Sequence, residues 1–592
     1  MKKNFKKKDL KIFILFLVIF LVGIFTRFYN IDKIPPFAPH DELGYFINAK
    51  ALQLSGSDIT GTWSPLSLKP VTADLAELTT QIIFPFYLFP VDIFLAGKLP
   101  FLLMSLLLPF FIAGITHELT QSKNTALFAW LFSLFNPWIW QIGRMPFDGY
   151  ASFFFYIVGG YLLLRLKKWQ KLWSLLPLFV GFYQYQGHKL VFPFWVLAFS
   201  LYSAKKFIIK KTVIKEILPQ LTVLFFSLFL FIFYILIQLP NHQSKNRLNS
   251  LFKPNSSEIA QIVNDQRRLS IYSPLTNIFI NKYTIWTAEV FERFVETYSF
   301  NFLFLEGQAN NSSWSVWNHG IFYVFDSVLI VFGFIYLIIS KKYKLIIFFS
   351  FLLLTSVIPS LISAGRSYFF RSSLNIPLLI IIAAIGAEYS RKISPKLIKN
   401  ILILVYVFSV FHFAYLYFVR YPIVSSDRQF FSDRILSEYL RRIPKYQKTI
   451  IFTPEPEFTV STYLFFNNIL NEDNISVIQN AYRNKEFVID NIRFTNNCFQ
   501  KNYLNFDDLI VSRYDIKICD TDGSYESTEI NSLLSSSEQI QAIQDSGTYF
   551  NIYNDKLCSG FNLNRYLRIN NLNQFDFKKM TDEEFCQTWI LD

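Results

Sequence analysis

Residues 11–28 read Lys11-Ile-Phe-Ile-Leu-Phe-Leu-Val-Ile-Phe-Leu-Val-Gly-Ile-Phe-Thr-Arg27-Phe28. The run between Lys11 and Arg27 carries no charge, and its length approaches the roughly 20 apolar residues that carry a helix across a bilayer. A basic start followed by an apolar run also resembles a secretory signal. No small-x-small cleavage site follows it, so a retained first span is expected. The rest of the chain agrees in composition. Of 592 residues, 52% are hydrophobic and only 17% charged, with 68 Phe and 32 Tyr. A soluble chain is nearer one quarter charged, which leaves a polytopic membrane protein.

Ten further apolar runs follow, at 97–117, 125–142, 149–166, 172–187, 190–204, 217–239, 321–340, 345–362, 373–390 and 400–419. The expected fold is an all-α membrane bundle of about 11 transmembrane helices. A proline-interrupted stretch at 78–95 reads as interfacial or re-entrant. With a cytoplasmic N-terminus, the inner segments hold 23 Lys and Arg, and the short outer loops at 143–148, 188–189 and 363–372 hold only Arg144, Lys189, Arg366 and Arg371. That asymmetry orients the chain. It sets two long outer loops, 29–96 and 240–320, on the far side, and an odd span count puts the C-terminal part there too. The expected setting is the plasma membrane.

The net charge of +14 does not mark a nucleic-acid binder. Residues 1–424 hold 40 basic and 19 acidic side chains, and residues 425–592 hold 17 and 24. The basic excess lies between apolar runs, as in membrane proteins. Residues 425–592 therefore read as a second, extracytoplasmic domain. Short β-like runs at Thr449–Phe452 and Asp508–Val511 and a helical stretch near 457–470 make it a small α/β body. All four cysteines, Cys498, Cys519, Cys558 and Cys586, fall within it. One or two disulfides are expected in an exported domain, with the pairing open. Asp520-Thr-Asp522-Gly523 begins like a calcium loop but has no Glu at the twelfth position, so calcium binding is not expected there.

The chemistry-bearing stretch follows the first span: Arg27-Phe-Tyr-Asn-Ile-Asp32-Lys-Ile-Pro35-Pro36-Phe-Ala-Pro39-His40-Asp41-Glu42-Leu-Gly-Tyr45. Seven of the 19 carboxylates in residues 1–424 fall between Asp32 and Asp92. Asp41 and Glu42 stand at the expected start of an amphipathic helix, where acidic residues commonly cap it and offset its dipole. Their position on the outer side, about a dozen residues after a span, suggests a second use.

That arrangement resembles the GT-C superfamily of membrane glycosyltransferases, and within it glycosyltransferase family 39, the protein O-mannosyltransferase and aminoarabinosyltransferase group. The matching residues are Arg27, Asp32, Pro36 and the Asp41-Glu42 pair. Gly143-Arg144-Met-Pro-Phe-Asp148, Tyr183-Gln-Tyr185-Gln-Gly-His188-Lys189, Asn318-His319-Gly320 and Arg366 with Arg371 resemble other outer elements of the group. His188-Lys189 departs from it, since an Arg is commoner there.

The resemblance implies a sugar on a polyprenyl phosphate as donor, inverting transfer to a hydroxyl, and an acceptor that is a protein, a lipid or a cell-wall glycan, with membrane lipids around it. A lipid phosphate leaves readily but its charge must be held. The acceptor hydroxyl needs a base. Asp41 is the expected base, oriented by Glu42 or His40. Arg144, Lys189, Arg366 and Arg371 are expected phosphate ligands, with Asp148, His188, His319 and Tyr45 in the binding site. No metal is required, although Asp41 and Glu42 are a pair to which a divalent ion is conceivable. A transporter or a lipid-linked glycan flippase or ligase is the alternative. It would call for inverted repeats and charges in mid-span, and no repeat is evident.

Overall fold

The computed structural model describes residues 7–62, 77–208, 217–238, 256–271, 273–308, 314–316, 318–362, 369–496, 499–500, 508–513, 518–519, 525–526, 538–543 and 547–592. The chain opens with α1 (Lys7–Phe28) and α2 (His40–Ser55). After α3 (Glu77–Ile83) come α4 (Ile93–Thr120), α5 (Lys123–Phe135), α6 (Pro137–Ile142), α7 (Asp148–Arg165), α8 (Leu175–Phe182), α9 (Gln186–Ile208) and α10 (Leu218–Phe233). The second long loop contains α11 (Ser256–Arg268) and α12 (Lys282–Thr297). The bundle closes with α13 (Val324–Ile339), α14 (Tyr343–Ser356), α15 (Asn375–Ile393) and α16 (Lys396–Tyr415).

Among the described residues, four helical stretches are long and apolar enough to cross a membrane: Ile93–Thr120, Leu218–Ile237, Tyr343–Ile362 and Lys396–Val424. Much of the surface that they and α1 leave uncovered is apolar. Phe13, Leu17 and Leu21 on α1 and Leu404, Phe408 and Phe411 on α16 are all exposed. Exposed apolar surface on this scale fits hydrocarbon rather than water, and the chain is an integral membrane protein.

Several of the other apolar runs are interrupted. The run 125–142 divides at Asn136, whose side chain accepts from the Ile139 amide and caps α6, with Pro137 as the first helical residue. Proline lacks the amide that a continuous helix would use. The run 172–187 becomes a 3₁₀ turn, Lys168–Ser174, followed by the eight-residue α8. His188 and Lys189, expected in an outer loop, sit in the first turn of α9. The stretch 78–95 forms α3, a short 3₁₀ turn at Phe84–Leu88 and the start of α4, with no crossing of its own.

The C-terminal part carries α17 (Phe431–Arg442), α18 (Pro456–Phe466), α19 (Ile475–Asn484) and α20 (Asp582–Trp589). Its larger sheet contains β1 (Thr449–Phe452), β2 (Phe487–Ile489), β3 (Ile492–Thr495), β4 (Leu509–Arg513), β5 (Glu538–Gln541) and β6 (Thr548–Tyr553), ordered β2-β3-β1-β4-β6-β5. β1 runs parallel to both β3 (Thr449 opposite Ile492) and β4 (Thr449 opposite Leu509), and the outer pairs are antiparallel. The central strand is apolar and largely buried, as a parallel strand covered on both faces should be. Cys558 and Cys586 form a disulfide. Cys498 and the Cys519 side chain lie outside the described residues, as does Asp520-Thr-Asp522-Gly523.

This sheet-bearing part packs on the segment between α1 and α4. Phe466 stacks on Phe37 with ring centroids 5.2 Å apart, and Phe465 on Phe46 at 5.2 Å. The Gln479 amide donates to Ser55 Oγ (2.9 Å), Ser57 Oγ (3.0 Å) and the Asp58 carbonyl (2.8 Å). Arg434 donates to the Pro36 carbonyl, and Lys578 pairs with Asp92 at 2.9 Å. α2 is thereby covered.

Candidate active site

The Pro35–Pro39 stretch ends at the N-cap of α2, with Pro39 extended at φ −61° and ψ 167°. Pro39 has no side-chain group to cap this helix, and Asp41 and Glu42 occupy its first turn. The amides of a first turn favour negative charge by about 0.3–1 kcal/mol. Successive helical positions point about 100° apart, and here they meet different surroundings. Asp41 is half-buried and has partners of its own. Glu42 is fully buried. The side chain of His40 lies outside the described residues.

Lys98 is the nearest cation to Glu42. Its Nζ lies 3.8 Å from Glu42 Oε1, and both side chains are 0% exposed. The same ammonium donates to the Ile31 carbonyl at 3.3 Å and sits 4.0 Å over the Phe94 ring. Neither Glu42 oxygen accepts a hydrogen bond among the described residues. Burial pushes the Glu42 carboxyl up to about 8, against the pull of Lys98. A buried, half-paired carboxyl of this kind titrates near neutrality, where proton-handling groups are found. With an ammonium already in front of Glu42, the pair is a poor seat for a divalent ion. Among the described residues no group of three or more His, Cys, Asp or Glu is placed to hold a metal.

Beside this pair opens a cavity of about 770 Å³ between the loop, the start of α4 and the C-terminal part. Asp32, Tyr87, Asp92, Arg434, Phe465 and Lys578 are among its lining residues. Arg434 lies 4.9 Å over the Phe466 ring and 5.3 Å over Phe577. Its guanidinium is thus sandwiched by aromatics from the C-terminal part.

Arg144, expected as a phosphate ligand, is bound to the backbone. It is fully buried, and its donors are taken by backbone carbonyls: Thr26 (2.9 Å), Arg27 (2.8 Å), Tyr29 (2.8 Å), Asn30 (3.3 Å) and Ile34 (2.8 and 3.2 Å). A guanidinium has five N–H groups, and this set uses them all. Arg144 ties the end of α1 to the loop that leads to Asp41. Arg27 works alongside, donating to the Leu134 carbonyl at 2.6 Å.

His188 is also committed to the scaffold. Nδ1 meets Ser152 Oγ at 2.9 Å, and Nε2 meets Ser373 Oγ at 3.0 Å and the Phe370 carbonyl at 3.1 Å. Both ring nitrogens are engaged, so it joins α7, α9 and the turn before α15. Lys189 is 1% exposed, bonded to Gln186 Oε1 at 2.9 Å and 4.7 Å over the Tyr234 ring. Asp148 begins α7 and accepts from the Gly149 amide at 2.6 Å. His319 bonds the Gly320 carbonyl at 2.7 Å and meets the Phe413 ring at 4.8 Å. Burial pushes its pKa down to about 4. Tyr45 is buried one turn after Asp41, and Arg371 is half-buried in the 3₁₀ turn Phe369–Ser372. Arg366 lies outside the described residues.

Sequence reading missed Lys98 and Arg434. Lys98 had a signal: it is a lone lysine at the start of an otherwise apolar run, where a charge marks a candidate functional site. Arg434 had none, because only the folding of residues 431–466 onto Phe37 and Phe94 brings it there.

No family model matches the chain, and no curated protein does. Solved structures do. One is ArnT from Cupriavidus metallidurans in the apo state, at 9% identity and a TM-score of 0.47, covering 92% of this chain and 98% of that one. The same protein bound to undecaprenyl phosphate gives 0.45 at 9% identity, with the same coverage. The archaeal oligosaccharyltransferase AglB from Archaeoglobus fulgidus, in complex with an inhibitory peptide and a dolichol-phosphate, gives 0.44 at 10% identity, covering 87% of this chain and 70% of that one. At these scores the likeness assigns no residue a role, and the roles below rest on the geometry of this chain.

Proposed function

We propose that this chain is a membrane glycosyltransferase that moves a sugar from a polyprenyl-phosphate donor to an acceptor hydroxyl on the outer face of the membrane, with inversion. The observation that carries this reading is the first turn of α2. It sets a half-buried carboxylate, Asp41, beside a sealed Glu42–Lys98 pair, close to the start of α4 and under a folded cover. A carboxylate at that height can take a proton from a hydroxyl brought to a lipid-borne sugar. Residues 1–424 act as the transferring body and 425–592 as the extracytoplasmic α/β cover, with the N-terminus in the cytoplasm and about 11 crossings in all.

In the reaction the acceptor oxygen attacks the anomeric carbon from the face opposite the lipid phosphate. The C–O bond to the phosphate breaks, and its electron pair leaves with the phosphate. The hydroxyl proton passes to Asp41. Glu42 and Lys98 are positioning residues: their pairing fixes the turn that presents Asp41. Arg371, Arg366 and Lys189 remain the cations for the leaving phosphate. The cavity lined by Asp32, Asp92 and Arg434 receives the rest of the acceptor.

Purified protein incubated with labelled polyprenyl-phosphate sugars and a membrane extract should release polyprenyl phosphate and label one acceptor with inverted anomeric configuration. Retained configuration would overturn direct displacement. Absence of transfer from every such donor would overturn the donor class.

A further inference from the structure

A second cavity, of about 420 Å³, lies at the other end of the bundle. α4 ties the two together. Ile93, its first residue, lines the large cavity, and Thr120, its last, lines this one. Twenty-eight helical residues span roughly 42 Å at 1.5 Å each, more than the hydrocarbon thickness of about 30 Å. The two cavities therefore face opposite sides of the membrane.

The lining of the second cavity is cationic. Lys341, Lys342, Lys344 and Lys392 contribute, against the single carboxylate of Glu388. Glu388 is already held by Arg391, at 2.8 and 2.9 Å, and by Lys392 at 3.4 Å. Lys341, Lys342 and Lys344 make no ion pair among the described residues. They are presented by the tight turn between α13 and α14, closed by bonds from the Lys341 amide to Ile338 O and from the Lys342 amide to Leu337 O, both 2.9 Å. Lys341 adopts φ +52°, a left-handed conformation that glycine or asparagine takes at lower cost. Ser122, Thr120 and Tyr389 supply hydroxyls.

Apolar side chains on the same two helices remain uncovered beside this turn: Ile338 and Ile339 (59% and 64% exposed) and Ile347 (67%). An apolar surface next to a cluster of unpaired ammonium groups matches an amphiphile whose acyl chains lie along the helices while its charge enters the cavity. Basic pockets between membrane helices take phosphate headgroups in this way.

We propose that this cavity binds the phosphate headgroup of an anionic membrane lipid, at the membrane face opposite Asp41. The probes are phosphatidylglycerol and phosphatidylcholine, titrated into the delipidated full chain in detergent and read by native mass spectrometry. Phosphatidylglycerol should be retained more tightly than phosphatidylcholine. An ammonium near the surface strengthens binding about fivefold, so K341Q/K342Q/K344Q should weaken phosphatidylglycerol on the order of a hundredfold and leave phosphatidylcholine unchanged. If the triple variant does not insert, K344Q/K392Q serves, with an expected loss of about 25-fold. Equal retention of the two lipids by the unaltered chain, or unchanged phosphatidylglycerol binding in a folded variant, overturns the proposal. Displacement of the lipid by equimolar glycerol 3-phosphate overturns it in favour of a soluble phosphate ester.

Discussion

The Lys98 ammonium lies 3.8 Å from the Glu42 carboxyl group, with both side chains sealed from solvent, and this contact joins the first turn of α2 to the start of α4. Removing one partner leaves the other a buried polar group with no counterpart, which typically costs about 1–3 kcal/mol. Lys98→Met should lower thermal stability in detergent by a corresponding margin, and Lys98→Met with Glu42→Gln should recover most of it. Additive losses in the double variant would show that the two residues do not act as a pair.

The same burial gives a pH dependence. Glu42 is raised to about 8 in the folded chain, from an ordinary value near 4.5. Between those values the folded state holds a proton that the unfolded state has lost. This group's contribution to stability therefore declines as pH rises from about 4.5 to about 8, and is level above that. The unaltered chain should lose stability across this window relative to Glu42→Gln, by on the order of a few kcal/mol. Parallel stability curves for the two proteins would contradict the assignment.

Arg144 offers a sharper contrast. As a clamp on the carbonyls of residues 26–34, it cannot be replaced by lysine, which lacks the fork. Arg144→Lys should lower the melting temperature, by roughly 2–4 kcal/mol in stability, because buried carbonyls lose their donors. A phosphate ligand would behave otherwise, with stability intact and only donor affinity weakened. Melting curves and donor titration of the one variant separate the two.

The Cys558–Cys586 disulfide closes a loop with a sequence separation of 28. On chain-entropy grounds it contributes about 3.5 kcal/mol to the stability of the C-terminal part. In intact cells, a membrane-impermeant reductant followed by an impermeant maleimide should label both cysteines if this part is extracytoplasmic. Labelling only after permeabilisation would reverse the orientation.

What could be read from the sequence divides by the range of the interactions. The acidic first turn of α2, β1 at Thr449–Phe452 and β4 beginning one residue after Asp508 followed from local pattern and are present. The continuous helix expected over 125–142 is broken because Asn136 caps a new helix at Pro137, a local rule outweighed by hydrophobicity in the reading. Arg144 and His188 are polar residues beside short turns, a pattern that in sequence alone points to ligands. Only the fold shows that backbone carbonyls and serines 36 to 185 positions away consume their hydrogen bonds. The Glu42–Lys98 contact spans 56 positions and leaves no periodic trace, so only a lone charge in an apolar run hinted at it.

The most direct test of the account is single-turnover sugar transfer by Asp41→Asn. Asparagine keeps the side-chain shape and removes the proton acceptor. The helix dipole loses only about 0.3–1 kcal/mol of favourable charge, so the melting temperature should barely move. Transfer should fall by about a hundredfold to ten-thousandfold with donor binding retained, and Glu42→Gln should cost less. Full transfer by a folded Asp41→Asn protein would contradict the central claim and return Asp41 to the role of a helix-start carboxylate.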